Sequence, residues 1–179
     1  MDGILVSCLL LILVAVGVLE WKRDDYFALA ALEGDLAKVK RLLTEKPSRI
    51  RDREALFNAI FNDHSEVVSF LLYEGADPDA GIEGENSALH VAAKYATLVT
   101  IDVILKYSTN IDSCGCSKKT PLCWAVAMGR SDNVKFLLSR GADPQRVDST
   151  IGFNAKVTTQ QAYQEAKALI MEAQKAPCA

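Results

Sequence analysis

Hydrophobic residues are distributed in two different ways along this chain. Residues 3–19 carry no charged side chain, and twelve of these seventeen residues are Leu, Ile or Val. The strongest polar group among them is Ser7, and no polar stripe marks out an amphipathic face. Beyond residue 25 the pattern becomes periodic. Leu56, Leu89 and Leu122 stand 33 residues apart. The apolar pairs Leu71-Leu72, Ile104-Leu105 and Leu137-Leu138 keep the same 33-residue spacing. So do the loop segments Gly75-Ala76-Asp77-Pro78, Ser108-Thr109-Asn110-Ile111 and Gly141-Ala142-Asp143-Pro144. Three markers in one register define an internal repeat.

Each copy reads as two short helices joined by a tight turn at Gly34, Asp63, Ala96 or Gly129, where a glycine, small or polar residue is needed. Alanine pairs suit the close stacking of neighbouring first helices, and the Leu pairs fill the space between second helices. Gly75 and Gly141 follow the second helix, where a left-handed residue ends it at low cost. Asp77-Pro78 and Asp143-Pro144 then open an extended connection. No copy buries its apolar face alone, so stability must come from stacking.

These residues resemble the ankyrin repeat. The match is fullest in the fourth copy, with Thr120, Pro121, Leu122, Ala125, Gly129, Leu137, Leu138, Gly141, Ala142 and Asp143. The third copy supplies Leu89, His90, Ala92 and Ala93, and the second Leu56, Ala59, Leu71, Leu72, Gly75, Ala76 and Asp77. A degenerate first copy is legible in Ala30-Ala31, Gly34-Asp35 and Leu42-Leu43. Its Leu42 precedes Leu71 by 29 residues, so the loop after it is shortened, and Pro47 falls there. The resemblance implies an all-α solenoid of helix-turn-helix repeats with β-hairpin loops. Four repeats are expected, at about 25–53, 54–86, 87–119 and 120–148, followed by a capping segment and helix at 149–174. In that last segment Thr158 or Thr159 reads as the N-cap, and Ala162, Ala166, Leu169 and Ile170 give helical spacing.

The apolar segment at 3–19 is expected to be a single transmembrane helix or signal-anchor. At about 1.5 Å per residue it reaches roughly 25 Å, the short end of a bilayer's apolar thickness. At about 0.4 kcal/mol for each Leu, Ile or Val, entry into lipid gains roughly 5 kcal/mol. Trp21 sits where an interfacial aromatic belongs, and Lys22 and Arg23 place the repeats on the cytoplasmic side. Ala15-Val16-Gly17 resembles a signal-peptidase site, although Met1-Asp2-Gly3 offers no basic leader. Cleavage there would make a periplasmic or secreted binding protein. Leu5-Val6-Ser7-Cys8 resembles a lipoprotein box but precedes most of the apolar run.

Composition narrows the function. A formal net charge of −3 provides no basic field for nucleic acid. The five cysteines, Cys8, Cys114, Cys116, Cys123 and Cys178, are too few for a disulfide framework. Cys114, Cys116 and Cys123 lie close together but lack a fourth zinc ligand. The resemblance gives the two histidines structural tasks: His90 bonds Ser87 at a helix start, and His64 occupies a turn. No nucleophile-base pattern, Walker loop or Cys-x-x-Cys is present, so no enzyme, cofactor, metal or small-molecule substrate is expected.

Ankyrin stacks take their protein partners on the concave face, made by loop tips and the residues just before each turn. Those turn residues are Leu32-Glu33, Phe61-Asn62, Lys94-Tyr95 and Ala127-Met128. Phe61, Tyr95 and Met128, one per repeat, are expected to form an exposed apolar ladder, with Leu32, Asn62 and Lys94 beside it. The loop tips differ in charge: Arg49, Arg51 and Arg53, then Asp77, Asp79, Glu83 and Glu85, then Lys118 and Lys119. The expected function is non-catalytic protein–protein recognition by a scaffold tethered to a membrane; a structural subunit of a larger assembly is the other reading of the same surface.

Overall fold

A computed structural model describes residues 26–79, 86–115, 118–147 and 160–175. Among them no helix is long and apolar enough to cross a membrane. The expected anchor at 3–19, Cys116 and the N-cap at Thr158 or Thr159 lie outside the described residues.

Helices follow one another in pairs. The first, α1, covers residues 26–33 of the described chain, and α2 is Leu36–Glu45. The next pair is α3, Arg53–Phe61, and α4, Ser65–Tyr73. The third is α5, Ala88–Tyr95, and α6, Leu98–Leu105. The fourth is α7, Pro121–Ala127, and α8, Ser131–Ser139. A longer helix, α9, runs Gln160–Lys175. First helices stack on first helices, α3 on α5 and α5 on α7, while α4 packs on α6 and α6 on α8.

The repeated alanines and leucines occupy the seams. Ala30, Ala31, Ala55, Ala59, Ala92, Ala93 and Ala125 are buried along the first-helix row. Leu71, Leu72, Ile104 and Leu137 are buried along the second. A single core runs from Phe27 through both rows to Ile170. Helix α9 closes the C-terminal end by packing on α7 and α8. It buries Tyr163, Ala166 and Ile170, one helical face, while Ala162 and Leu169 are only half-buried. Gln174 donates to the carbonyls of Pro144 and Val147, tying α9 to the loop after α8.

The expected β-hairpin strands are absent from the described parts of the connections: among the described residues there is no strand. Side chains take the hydrogen bonds a partner strand would take. Asp77, Asn110 and Asp143, spaced by the repeat length, each accept on Oδ1 from the N–H two residues on, at 2.9, 2.9 and 2.8 Å. Such local bonds hold the backbone in a turn. The shortened first loop becomes a 3-10 helix, Pro47–Arg51, and the last loop another, Pro144–Arg146. Arg49, expected on a basic loop tip, is buried instead, its Nη1 donating to the Leu42 carbonyl at 2.7 Å. It adds a second donor to a helix-end carbonyl that already accepts from the Lys46 N–H.

Candidate binding surface

The turns between paired helices define the rim of the surface. Gly34, Asp63 and Gly129 have φ of +74°, +59° and +63°. In each of these turns the next N–H reaches back five residues: Asp35 to Ala30, His64 to Ala59 and Arg130 to Ala125. This left-handed cap closes the first helix and reverses the chain. Ala96, in the third repeat, differs. Its backbone is extended at φ −86° and ψ 168°, and its N–H makes the ordinary bond to Ala92. An alanine in the left-handed region would cost energy that glycine or aspartate avoids.

Polar groups stitch consecutive turns together. Asn62 Nδ2 and His64 Nε2 both reach the Leu32 carbonyl, at 3.1 and 3.0 Å. Asp63 Oδ1 accepts from the Thr97 N–H, the Thr97 hydroxyl and the Thr100 hydroxyl at 2.9, 3.1 and 2.7 Å. Asn133 Nδ2 donates to the carbonyls of Ala93 and Ala96, and Arg130 Nη2 to that of Ala96. The rim is therefore fixed before any partner arrives.

On this rim the sequence-derived ladder is partly present. Phe61 and Tyr95 are exposed, and their ring centroids lie 4.7 Å apart with planes tilted by 58°. Leu32 is also exposed, and Asn62 stands beside Phe61 with its amide engaged. Phe61 and Tyr95 are not register equivalents, since Phe61 corresponds to Lys94; Tyr95 belongs one position later. The rings meet because each stands at the last residue of its helix, free of the packed row.

Met128 corrects the third rung, because it is only 7% exposed. Helix α9 packs on both helices of the fourth pair. Its Ala162 and Glu165 share a cleft with residues 129–133, immediately beyond Met128. Met128 is thus buried at the fourth turn, where Phe61 and Tyr95 at the second and third are exposed.

Two residues outside the expected set complete the surface. Lys94 Nζ lies 4.2 Å from the Trp124 ring centroid and 5.1 Å from that of Tyr95. Lys119 Nζ lies 5.1 Å from the same Trp124 ring. Trp124 is in the first turn of α7, in a helix capped by the Thr120 hydroxyl with Pro121 at its first position. The repeat register places Trp124 one copy beyond Val91, but says nothing of which lysines reach it.

His90 anchors this end of the surface. The Ser87 N–H and hydroxyl both donate to its Nδ1, at 3.1 and 2.8 Å. Nδ1 is therefore unprotonated, and Nε2 carries the hydrogen that it donates to the Lys119 carbonyl at 3.0 Å. Burial holds the His90 pKa below its ordinary value, outweighing the Lys119 carbonyl bond that favours the charged form. Cys123 takes the His90 position in the fourth repeat, buried, with its thiol near the Thr120 hydroxyl and the Arg146 carbonyl.

Against known families, residues 56–148 match the model for ankyrin repeats, in three copies. This chain belongs to the ankyrin-repeat family. Among curated relatives, a protein of fowlpox virus named as an ankyrin repeat protein is 30% identical over 90 residues, covering 50% of this chain and 21% of the viral one. An Arabidopsis thaliana protein named as an E3 ubiquitin-protein ligase is 29% identical over 126 residues, 66% of this chain and 32% of the plant one. An NAD-capped RNA hydrolase of Homo sapiens is 35% identical over 71 residues, 37% of this chain and 15% of the hydrolase. The chain spans less than a third of the length of each of these relatives.

Proposed function

We propose that this ankyrin-repeat chain is a non-catalytic recognition module that docks a protein partner on the rim formed by Leu32, Phe61, Asn62, Lys94 and Tyr95. The observation that carries this reading is the exposed Phe61–Tyr95 ring pair, in tilted contact across two repeats at 4.7 Å. An aromatic pair held on a rigid frame offers large contact area with little conformational entropy left to lose. Its backbone frame is already satisfied by Asn62, Asp63 and Asn133, so binding need not order it.

Catalysis has no comparable support. Both histidines are engaged with backbone carbonyls. The enzymes among the relatives share with this chain only a fraction of their own length, and their activities are theirs. The stack is further proposed to be held at a membrane by residues 3–19, on the strength of that segment's uninterrupted apolar composition.

The test is affinity capture with the full chain and with a Phe61→Ala/Tyr95→Ala variant matched for melting behaviour. Each truncation is expected to weaken the partner by about 2 kcal/mol, roughly thirtyfold. Undiminished recovery would move the docking face to the loop tips or the convex side, and a variant that unfolds would make both rings part of the core.

A further inference from the structure

The aromatic pair explains only half of the exposed strip. From Tyr95 it continues to Lys94, Trp124 and Lys119, linked by ring-to-ammonium distances of 5.1, 4.2 and 5.1 Å. Two ammonium groups therefore share one indole, and among the described residues neither lysine meets a carboxylate. The fold holds this cradle in place. Lys94 stands on the last turn of α5, and the Lys119 carbonyl accepts from both His90 Nε2 and the Gly115 N–H. A Cβ at Gly115 would fall 2.8 Å from His90 Nε2, so this approach requires glycine. Trp124 Nε1 is buried and has no acceptor among the described residues, so the half-exposed indole presents carbon to the outside.

Among the described residues, the rim carboxylates are directed to groups other than the two lysines. The Asp63 carboxylate is occupied by Thr97 and Thr100, and that of Glu33 by Lys38. Arg130 adds a third cation, lying against the carbonyls of Tyr95 and Ala96. In a chain of net charge −3, three cations, Lys94, Lys119 and Arg130, are thus gathered along this strip. A ring face holds each ammonium in position but leaves its hydrogens to be shared with an acceptor.

We infer that the partner is a protein segment of acidic character carrying an apolar anchor. The anchor packs on Phe61 and Tyr95, and carboxylates beside it pair with Lys94 and Lys119 over Trp124. This rests on the rim being the docking face and adds the chemistry of what docks there. Because cation–π contact already restrains the lysines, carboxylate pairing costs less side-chain entropy than at free surface lysines.

Selection of displayed random linear peptides on the full chain tests the charge and the surface separately. Peptides enriched on the unmodified chain are expected to place Asp or Glu next to an aromatic or aliphatic residue. On a Lys94→Glu/Lys119→Glu variant the enrichment should invert toward Lys and Arg. Binding of a recovered acidic peptide should weaken about tenfold in Lys94→Gln/Lys119→Gln, which removes both charges without reversing them and keeps the side chains polar. Peptides that show no acidic bias yet depend on Phe61 would overturn the inference and leave the docking face standing. Peptides indifferent to Phe61 and to both lysines would overturn the two together, and failure to enrich any peptide would count against the inference.

Discussion

At Gly34 a Cβ would stand 2.6 Å from the His64 ring, in a backbone already at φ +74°. The repeat period marks Gly34 as a turn residue, but the ring lying on it comes from the next copy and is invisible in one dimension. His90 shows the converse. Its bond to Ser87 follows from the repeat's chemistry, whereas its bond to the Lys119 carbonyl, 29 residues away, needs the stack. That buried, neutral imidazole has a consequence for stability. Its pKa is lowered in the folded chain from an ordinary 6.5, mainly by burial. The unfolded chain therefore binds a proton more readily than the folded one, and stability rises with pH across that window. His90 is expected to contribute fully above about pH 6.5 and to lose its contribution progressively as pH falls below it. Urea midpoints measured across this range for the native chain and for His90→Gln should converge in slope if other groups dominate. A smaller pH slope in the variant is the expected result.

At the scale of elements, the 33-residue register locates both helices of the second, third and fourth pairs, and the glycines after the second helix in the second and fourth. It does not foresee that the connecting loops are built of Asx and 3-10 turns, because side-chain acceptors at Asp77, Asn110 and Asp143 compete with strand pairing. Nor does it foresee the burial of Met128. Helix α9, which packs on the same pair, lies outside the repeat and follows no period. The third pair is the irregular element, since its turn lacks a left-handed residue and its outer helix begins with exposed Leu98 and Val99. Asp63 compensates from the neighbouring turn by accepting from Thr97 and Thr100. Asp63→Ala removes that acceptor and places alanine at φ +59°. Lost charged hydrogen bonds and left-handed strain together should cost about 2–4 kcal/mol. Asp63→Gly keeps the turn but loses the bonds, so it should fall between the native chain and Asp63→Ala in a urea titration. Equal loss in both variants would assign the whole effect to the hydrogen bonds.

At the scale of the whole molecule, stability is shared between neighbours and no pair stands alone. That is why a period read from single residues reveals so much of the architecture: each copy must solve the same packing problem with the same residue sizes. A docking surface has no such constraint, and Trp124 with its two lysines came into view only once the copies were stacked. The apolar segment at 3–19 is a third case, legible by composition alone and independent of the repeats. If it is a retained helix, the roughly 5 kcal/mol of favourable transfer is marginal for one chain but is reinforced by Trp21 at the interface. The protein should then sediment with membranes through a high-salt wash and be released by detergent. Replacing two central residues, Leu11→Arg and Leu13→Arg, should release it without detergent, since an arginine at the centre of a span costs about 3 kcal/mol on the same scale. The repeats should melt unchanged in that variant, because among the described residues the core from Phe27 to Ile170 is built from the stacked pairs and α9. An intact mass lacking residues 3–19 would establish a processed signal in place of an anchor. The docking rim would then face a periplasmic or extracellular partner, with its acidic complement unaltered.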